Sequence, residues 1–313
     1  MASNRSVVIA ALVANGAIAV LKFLGFLLTR SPAMLSETYH SVSDTGNQVF
    51  LLFGIRYADR EASRTHPFGY GKAQFFYSFL VAVLLFGVAG WKSLSHGYDA
   101  ILHGVHRASD PVSVLGLTFD PIWVNVVVLL GAIGFESYAL AKAHAELRDQ
   151  IDAYGWSGLV EAFRATSDTV TLTAFTEDAI ALAGAAIALV GVVLTRVTGN
   201  HLYDAASAAI IGLLLMGFAL ALAWENKRLL LGESAPAAVE TRLRQAVLDH
   251  PDVRHVDAFR TMYVGPQDLL VTVEVSFDPE YEAGALDGAI ADIEAALRAA
   301  DDRVGDVYVE PEV

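Results

Sequence analysis

Apolar residues run almost unbroken through six stretches of the chain: residues 7–28, 35–55, 75–91, 122–143, 172–194 and 205–224. Each is close to the ~20 residues that a helix needs to cross a hydrocarbon core of about 30 Å. The pattern predicts an α-helical membrane bundle of six transmembrane helices. The first stretch departs from apolarity only at Asn15 and Lys22, the fourth carries Glu136, and the fifth opens on Glu177 and Asp178. The second holds Glu37, His40, Asp44, Asn47 and Gln48, so hydropathy alone marks it weakly. A cleaved leader would have a shorter apolar core and a small-residue cleavage site, and neither is evident.

Near 232–236 the pattern changes. Residues 237–250 have helical periodicity and end before Pro251; 253–263 and 269–277 read as strands around a turn at 264–268. A second helix over 283–299 and a third strand over 304–309 complete the order αββαβ. The expected division is a transport domain over 1–233 and a small α+β, ferredoxin-like domain over 234–313. Two connections are long. Residues 95–121 read as an outer loop with His96, His103 and His106, and 145–169 as an amphipathic helix lying along the inner membrane surface.

Composition sharpens this picture. Of 313 residues 54% are hydrophobic and 18% charged, against about 25% charged in ordinary globular chains. The absence of cysteine excludes disulfides, thiolate ligands and a cysteine nucleophile. The net charge of −14 excludes nucleic acid as a partner, because phosphate binding needs surplus Lys and Arg. Residues 234–313 hold 17 acidic against 6 basic side chains, so most of that charge sits in the tail. Lys and Arg in the connections divide ten to four in favour of the side bearing both termini, which places the termini in the cytoplasm, or in the matrix if the host is an organelle; a bacterial inner membrane is the expected host.

Ionisable groups within a span cost about 2.5–3.5 kcal/mol each on insertion scales and persist where they face protein or water. His40 and Asp44 stand at i and i+4 on one helix face, with Asn47 continuing the stripe. An imidazole and a carboxylate one turn apart make half of a tetrahedral divalent-metal site; a local His–Asp hydrogen bond reads the same spacing equally well. Glu177 and Asp178 leave their helix about 100° apart, so a regular helix directs one of them at a shared ion. There is no His-Glu-x-x-His helix and no nucleophile motif, which argues against an enzyme.

The chain resembles the cation diffusion facilitator family, exporters of divalent metals in exchange for protons. The resemblance rests on Ser36–Glu37–Thr38–Tyr39–His40–Ser41–Val42–Ser43–Asp44, on His66–Pro67–Phe68–Gly69–Tyr70–Gly71–Lys72, and on Leu202–Tyr203–Asp204–Ala205–Ala206–Ser207. The Glu177–Asp178 pair, with Ala181–Leu182 and Gly199–Asn200, is most similar to the zinc-transporter-nine-like branch. The resemblance implies a metal site of His40, Asp44 and Asp178. It places Ala174 where a fourth ligand belongs, so Glu177 is expected to supply it, with Asn15 and Asn47 as weaker candidates. It also implies a homodimer and a pairing of Lys72 with Glu233. The family's inner-loop site would fall on His66, Tyr70 and Ser63, and its soluble-domain sites on Asp257, Glu274, Glu310 and Glu312. Those substitutions argue against both. The expected cargo is Zn²⁺, with Mn²⁺ and Fe²⁺ as alternatives for a site without sulfur. Glycines 184, 191, 212 and 217 are expected to allow close helix approach as the bundle rocks. A membrane-anchored metal sensor, an intramembrane hydrolase and a channel are the rival classes.

Overall fold

A computed structural model describes residues 2–104, 112–114, 117–120, 122–154, 157–159, 169–277 and 283–312. His106 and most of the segment following Tyr154 lie outside the described residues, so the interfacial helix expected there is not addressed beyond its start. The helices are α1 (Ala2–Thr29), α2 (Pro32–Ala58), α3 (Ala73–Leu84), a π-helical turn (Leu85–Gly90), α4 (Trp91–His103), α5 (Ile122–Tyr154), α6 (Thr169–Thr198) and α7 (Leu202–Leu231). Next come α8 (Ala237–Leu248), strand β3 (Val253–Gly265), β4 (Asp268–Phe277), α9 (Ala283–Ala300) and β5 (Val304–Glu312). A short hairpin, β1 (Val112–Val114) with β2 (Leu117–Phe119), precedes α5.

The described chain divides into two compact units. One takes Met1–Phe53, Tyr77–Phe163 and Asp168–Glu225 as far as they are described; the other includes Gly54–Phe76 and Asn226–Val313. Among the described residues, five helices are long and apolar enough to cross a membrane: Leu12–Thr29, Ala73–His103, Ile122–Asp152, Phe175–Thr198 and Leu202–Leu231. The protein is a multi-pass integral membrane protein. Helix α2 is as long as these but its polar stripe keeps it out of the apolar set.

Local sequence explains the helix ends in the first unit. Ser31 caps α2, its hydroxyl accepting from Met34 N at 3.2 Å, and Pro32 occupies the first helical position, where its missing N–H is no loss. Gly199 (φ 71°) ends α6 in the left-handed conformation. Asp204 links the two turns. It accepts from Ser31 Oγ at 2.7 Å, and its backbone N–H donates to Thr195 Oγ1. Met34, Leu85, Leu129, Ala188, Ile211 and Leu215 form the buried centre, while Val20, Phe23, Val127, Val190, Leu213 and Leu220 face outward, as lipid-exposed positions do.

Several expectations are corrected here. Residues 95–103 are helical, so the outer connection is shorter than the apolar pattern predicts; α4 is amphipathic and hydropathy loses it. Residues 145–154 continue α5 instead of starting a separate helix. Of the four glycines, Gly191 packs against Ser207 and Tyr203 of α7, Gly212 against Leu94 of α4, and Gly184 against Glu37, whereas Gly217 meets nothing within 4 Å.

In the second unit β4 is central, antiparallel to β3 and parallel to β5. Its alternation is strict, with Leu269, Val271, Val273, Val275 and Phe277 buried against Leu243 and Val247 of α8 and Ile293 and Leu297 of α9. Asp301 staples this unit. It accepts from Arg303 Nε at 2.8 Å and Nη2 at 2.6 Å, and from Arg242 Nη2 at 2.6 Å. The Arg303 hydrogen bond holds its carboxyl below the usual carboxylate range. The loop before α3 packs in this unit as well. A Cβ on Gly71 would stand 2.5 Å from Val264 O, and the Phe68 ring meets Tyr308 edge-on.

Candidate metal centre

Helices α2 and α6 carry the candidate ligands. His40 is 1% exposed, and among the described residues neither ring nitrogen has a hydrogen-bond partner. Its Nδ1 lies 3.5 Å from Asp44 Oδ1, one turn further along. That is too long for a firm hydrogen bond, so the local His–Asp reading leaves the imidazole unsatisfied. Two turns beyond His40, Asn47 Nδ2 reaches across to α6 and donates to both oxygens of Glu177, at 3.2 and 3.3 Å. Asn47 therefore orients Glu177.

The two acids of α6 are adjacent and act on each other. Glu177 acts electrostatically on Asp44. Asp178 acts on Glu136 of α5, which also feels Lys22, Glu37 and Glu177. Among the described residues no three His, Asp or Glu side chains stand close enough together to hold an ion. His40, Asp44 and Glu177 thus share one polar region without forming a closed shell, and Asp178 follows Glu177 on α6. An imidazole nitrogen with several carboxylates is a donor set for borderline and hard divalent cations.

Sequence reasoning noted Lys22, Glu37 and Glu136 without joining them to the site. Lys22 is wholly buried, and its Nζ donates to Glu37 Oε2 at 2.8 Å and Ser41 Oγ at 2.9 Å. The signal was a lone lysine in an apolar span, which needs a partner on another helix.

Residues 8–231 match the cation efflux transmembrane domain. The chain belongs to this family of metal cation transporters. It is 30% identical over 272 residues to the human "Proton-coupled zinc antiporter SLC30A9, mitochondrial", covering 87% of this chain and 46% of that protein. It spans about half the length of the antiporter relatives it matches. It is 25% identical over 311 residues to "Magnetosome protein MamM" of Paramagnetospirillum magneticum, covering 99% of this chain and 88% of the other. A nickel-form structure of a MamM C-terminal domain is 28% identical with a TM-score of 0.24, covering 25% of this chain and 98% of that one.

The family's other sites find different uses here. His66 stacks on Tyr70 at 4.2 Å and takes part with Ser63 and Thr65 in a small hydrogen-bonded loop. In the acidic tail Glu274 pairs with Arg260 at 2.7 Å, and Asp257 accepts from Ser276 Oγ at 2.6 Å. Glu310 and Glu312 lie beside Glu274 and Ser276 in the β4–β5 register. The expected Lys72–Glu233 pair does not form. Lys72 Nζ donates to Met262 Sδ at 3.9 Å, while Glu233 is held by Arg228, five residues before it and within easier reach.

Proposed function

We propose that the chain exports divalent cations in exchange for protons, with zinc as the principal cargo and manganese and iron as alternatives. His40, Asp44, Glu177 and Asp178 are its ligands. The observation that carries this reading is His40, an imidazole sealed inside a helical bundle with both nitrogens unpartnered and an acid beside it. Buried polar atoms are otherwise satisfied in the great majority of cases. The antiporter relative, coupled to protons by its name, supports the same cargo and coupling.

The ligands explain the exchange. A cation binds the imidazole and carboxylates only when they are deprotonated, so protons arriving from the opposite side compete for the same atoms and release it. Asn47 holds Glu177 ready across the helix gap, and closing the shell then requires a modest approach of α6 to α2. Alternating access follows from rocking one helix group on another. In this reading α2 is a sixth span and both termini are cytoplasmic, in a bacterial inner membrane. Residues 1–233 carry transport. Residues 234–313 form a ferredoxin-like regulatory and dimerisation domain of a homodimer.

The test is zinc uptake into vesicles under an imposed pH gradient. His40→Ala, Asp44→Ala, Glu177→Ala and Asp178→Ala are each expected to lose most of it. Full uptake by the His40→Ala and Asp178→Ala proteins overturns the proposal.

A further inference from the structure

The Lys22–Glu37 pair is not explained by stability. A buried ion pair is commonly matched or bettered by apolar residues of the same size, because desolvation of both charges consumes the attraction. Here the pairing is also incomplete. Lys22 satisfies Glu37 Oε2, but Oε1 is buried with no hydrogen-bond partner, on a side chain with 0% exposure. A carboxylate oxygen left dry in this way is costly.

Its surroundings give Oε1 a direction. It points at Gly184 of α6, where a Cβ would stand 2.6 Å from it, so a larger residue there would push the carboxylate aside. Glu37 is three residues from His40 and thus its neighbour on the α2 surface, and His40 has two unpartnered nitrogens of its own. From Asn47 to Glu37 the α2 stripe covers about 15 Å of helix axis, half the hydrocarbon thickness. One end is the Asn47–Glu177 contact with α6, and the other is the Glu37–Gly184 contact with the same helix.

We propose that Glu37 Oε1 and His40 form a second, transient station for the divalent cargo, between α2 and Gly184 of α6, and that Lys22 is the tethered cation that prevents the station from retaining it. The inference rests on the export reading. Cargo moving along α2 exchanges Asp44 for Glu37 while His40 stays in reach, so it is never stripped of all protein ligands at once. The ammonium beside Glu37 makes that stop brief.

Zinc binding to the full chain in nanodiscs, with uptake into vesicles, tests this. Wild type is expected to bind one zinc ion per chain. Lys22→Gln is expected to bind one as well, about tenfold more tightly and with slower uptake, since the station loses its resident cation and retains the ion that His40 passes to it. Lys22→Gln with Glu37→Gln removes both charges together, and is expected to fold, to bind one ion within about twofold of the wild-type affinity, and to transport about tenfold more slowly. Glu37→Asp, which keeps both charges, is expected to retain most of the rate. A folded Lys22→Gln protein with wild-type zinc affinity and uptake overturns the proposal, as does wild-type transport by the double variant. If Lys22→Gln does not fold, the double variant and Glu37→Asp decide. Wild-type transport by Asp44→Ala instead overturns the export site itself, and the zinc affinity of the Lys22→Gln protein then reads the station separately.

Discussion

Gly71→Ala is expected to detach the loop before α3 from the hairpin turn of β3 and β4. The added Cβ would stand 2.5 Å from Val264 O and 2.8 Å from Gly265 Cα, about 1 Å short of ordinary contact. Both obstacles are backbone, so no rotamer change relieves the overlap; the loop or the turn must move. Overpacking of this kind costs about 1–3 kcal/mol. The loop's own hydrogen bonds report the loss, from Ser63 and His66 through Gly69 N→His66 O at 3.1 Å to Ala73 N→Tyr70 O at 2.9 Å. Amide exchange over residues 63–73, followed by mass spectrometry on the full chain, is expected to quicken about 5- to 150-fold. Gly134→Ala is the control, because its Cβ meets nothing within 4 Å and alanine favours a helix. Loop exchange within twofold of wild type would show that the close approach carries no stability and would refute the steric argument.

Three further outcomes are expected. Asn47→Ala frees Glu177 from its orienting donor and should weaken zinc binding about 10- to 100-fold by calorimetry; a change under threefold counts against Glu177 as ligand. Asp301→Asn should destabilise the second unit by about 2 kcal/mol near neutral pH, the scale of hydrogen bonds to a charged group. Because the folded carboxyl is held below its unfolded value, that contribution is present above about pH 4 and fades as pH falls through the folded value, so wild type and variant should converge in acid. Exchange of the β5 amides across a pH series, corrected for intrinsic rates, checks this, and a gap that persists in acid refutes it. Leu297→Ala empties the centre of the same core and should cost about 2–5 kcal/mol in exchange protection of β4.

What was legible in the sequence follows from the range of each signal. Strand β4 announces itself because each alternate residue is buried by its own pleat. The spans show because their outer faces are as apolar as their inner ones. Signals that depend on a second helix were not legible. Nothing around Lys22 names Glu37 as its partner, and nothing around Glu177 names Asn47, 130 residues away. Glu233 was assigned to a distant lysine when Arg228 stood five residues before it. Hydropathy also ends a helix too early wherever one face turns polar, as at α4.

The π-helical turn at Leu85–Gly90 has a consequence for the span that contains it. Such a turn takes up one more residue than a regular α-helical turn, so everything after it is rotated by about 100°. Gly97 owes its place to that rotation: it lies against the backbone of Ala205 and Ala209, where no side chain fits. Deleting a single residue from the turn would swing Gly97 off α7 and drive a bulkier neighbour into the gap. The span is therefore indexed like a key, and its length cannot drift by one residue without losing the lock.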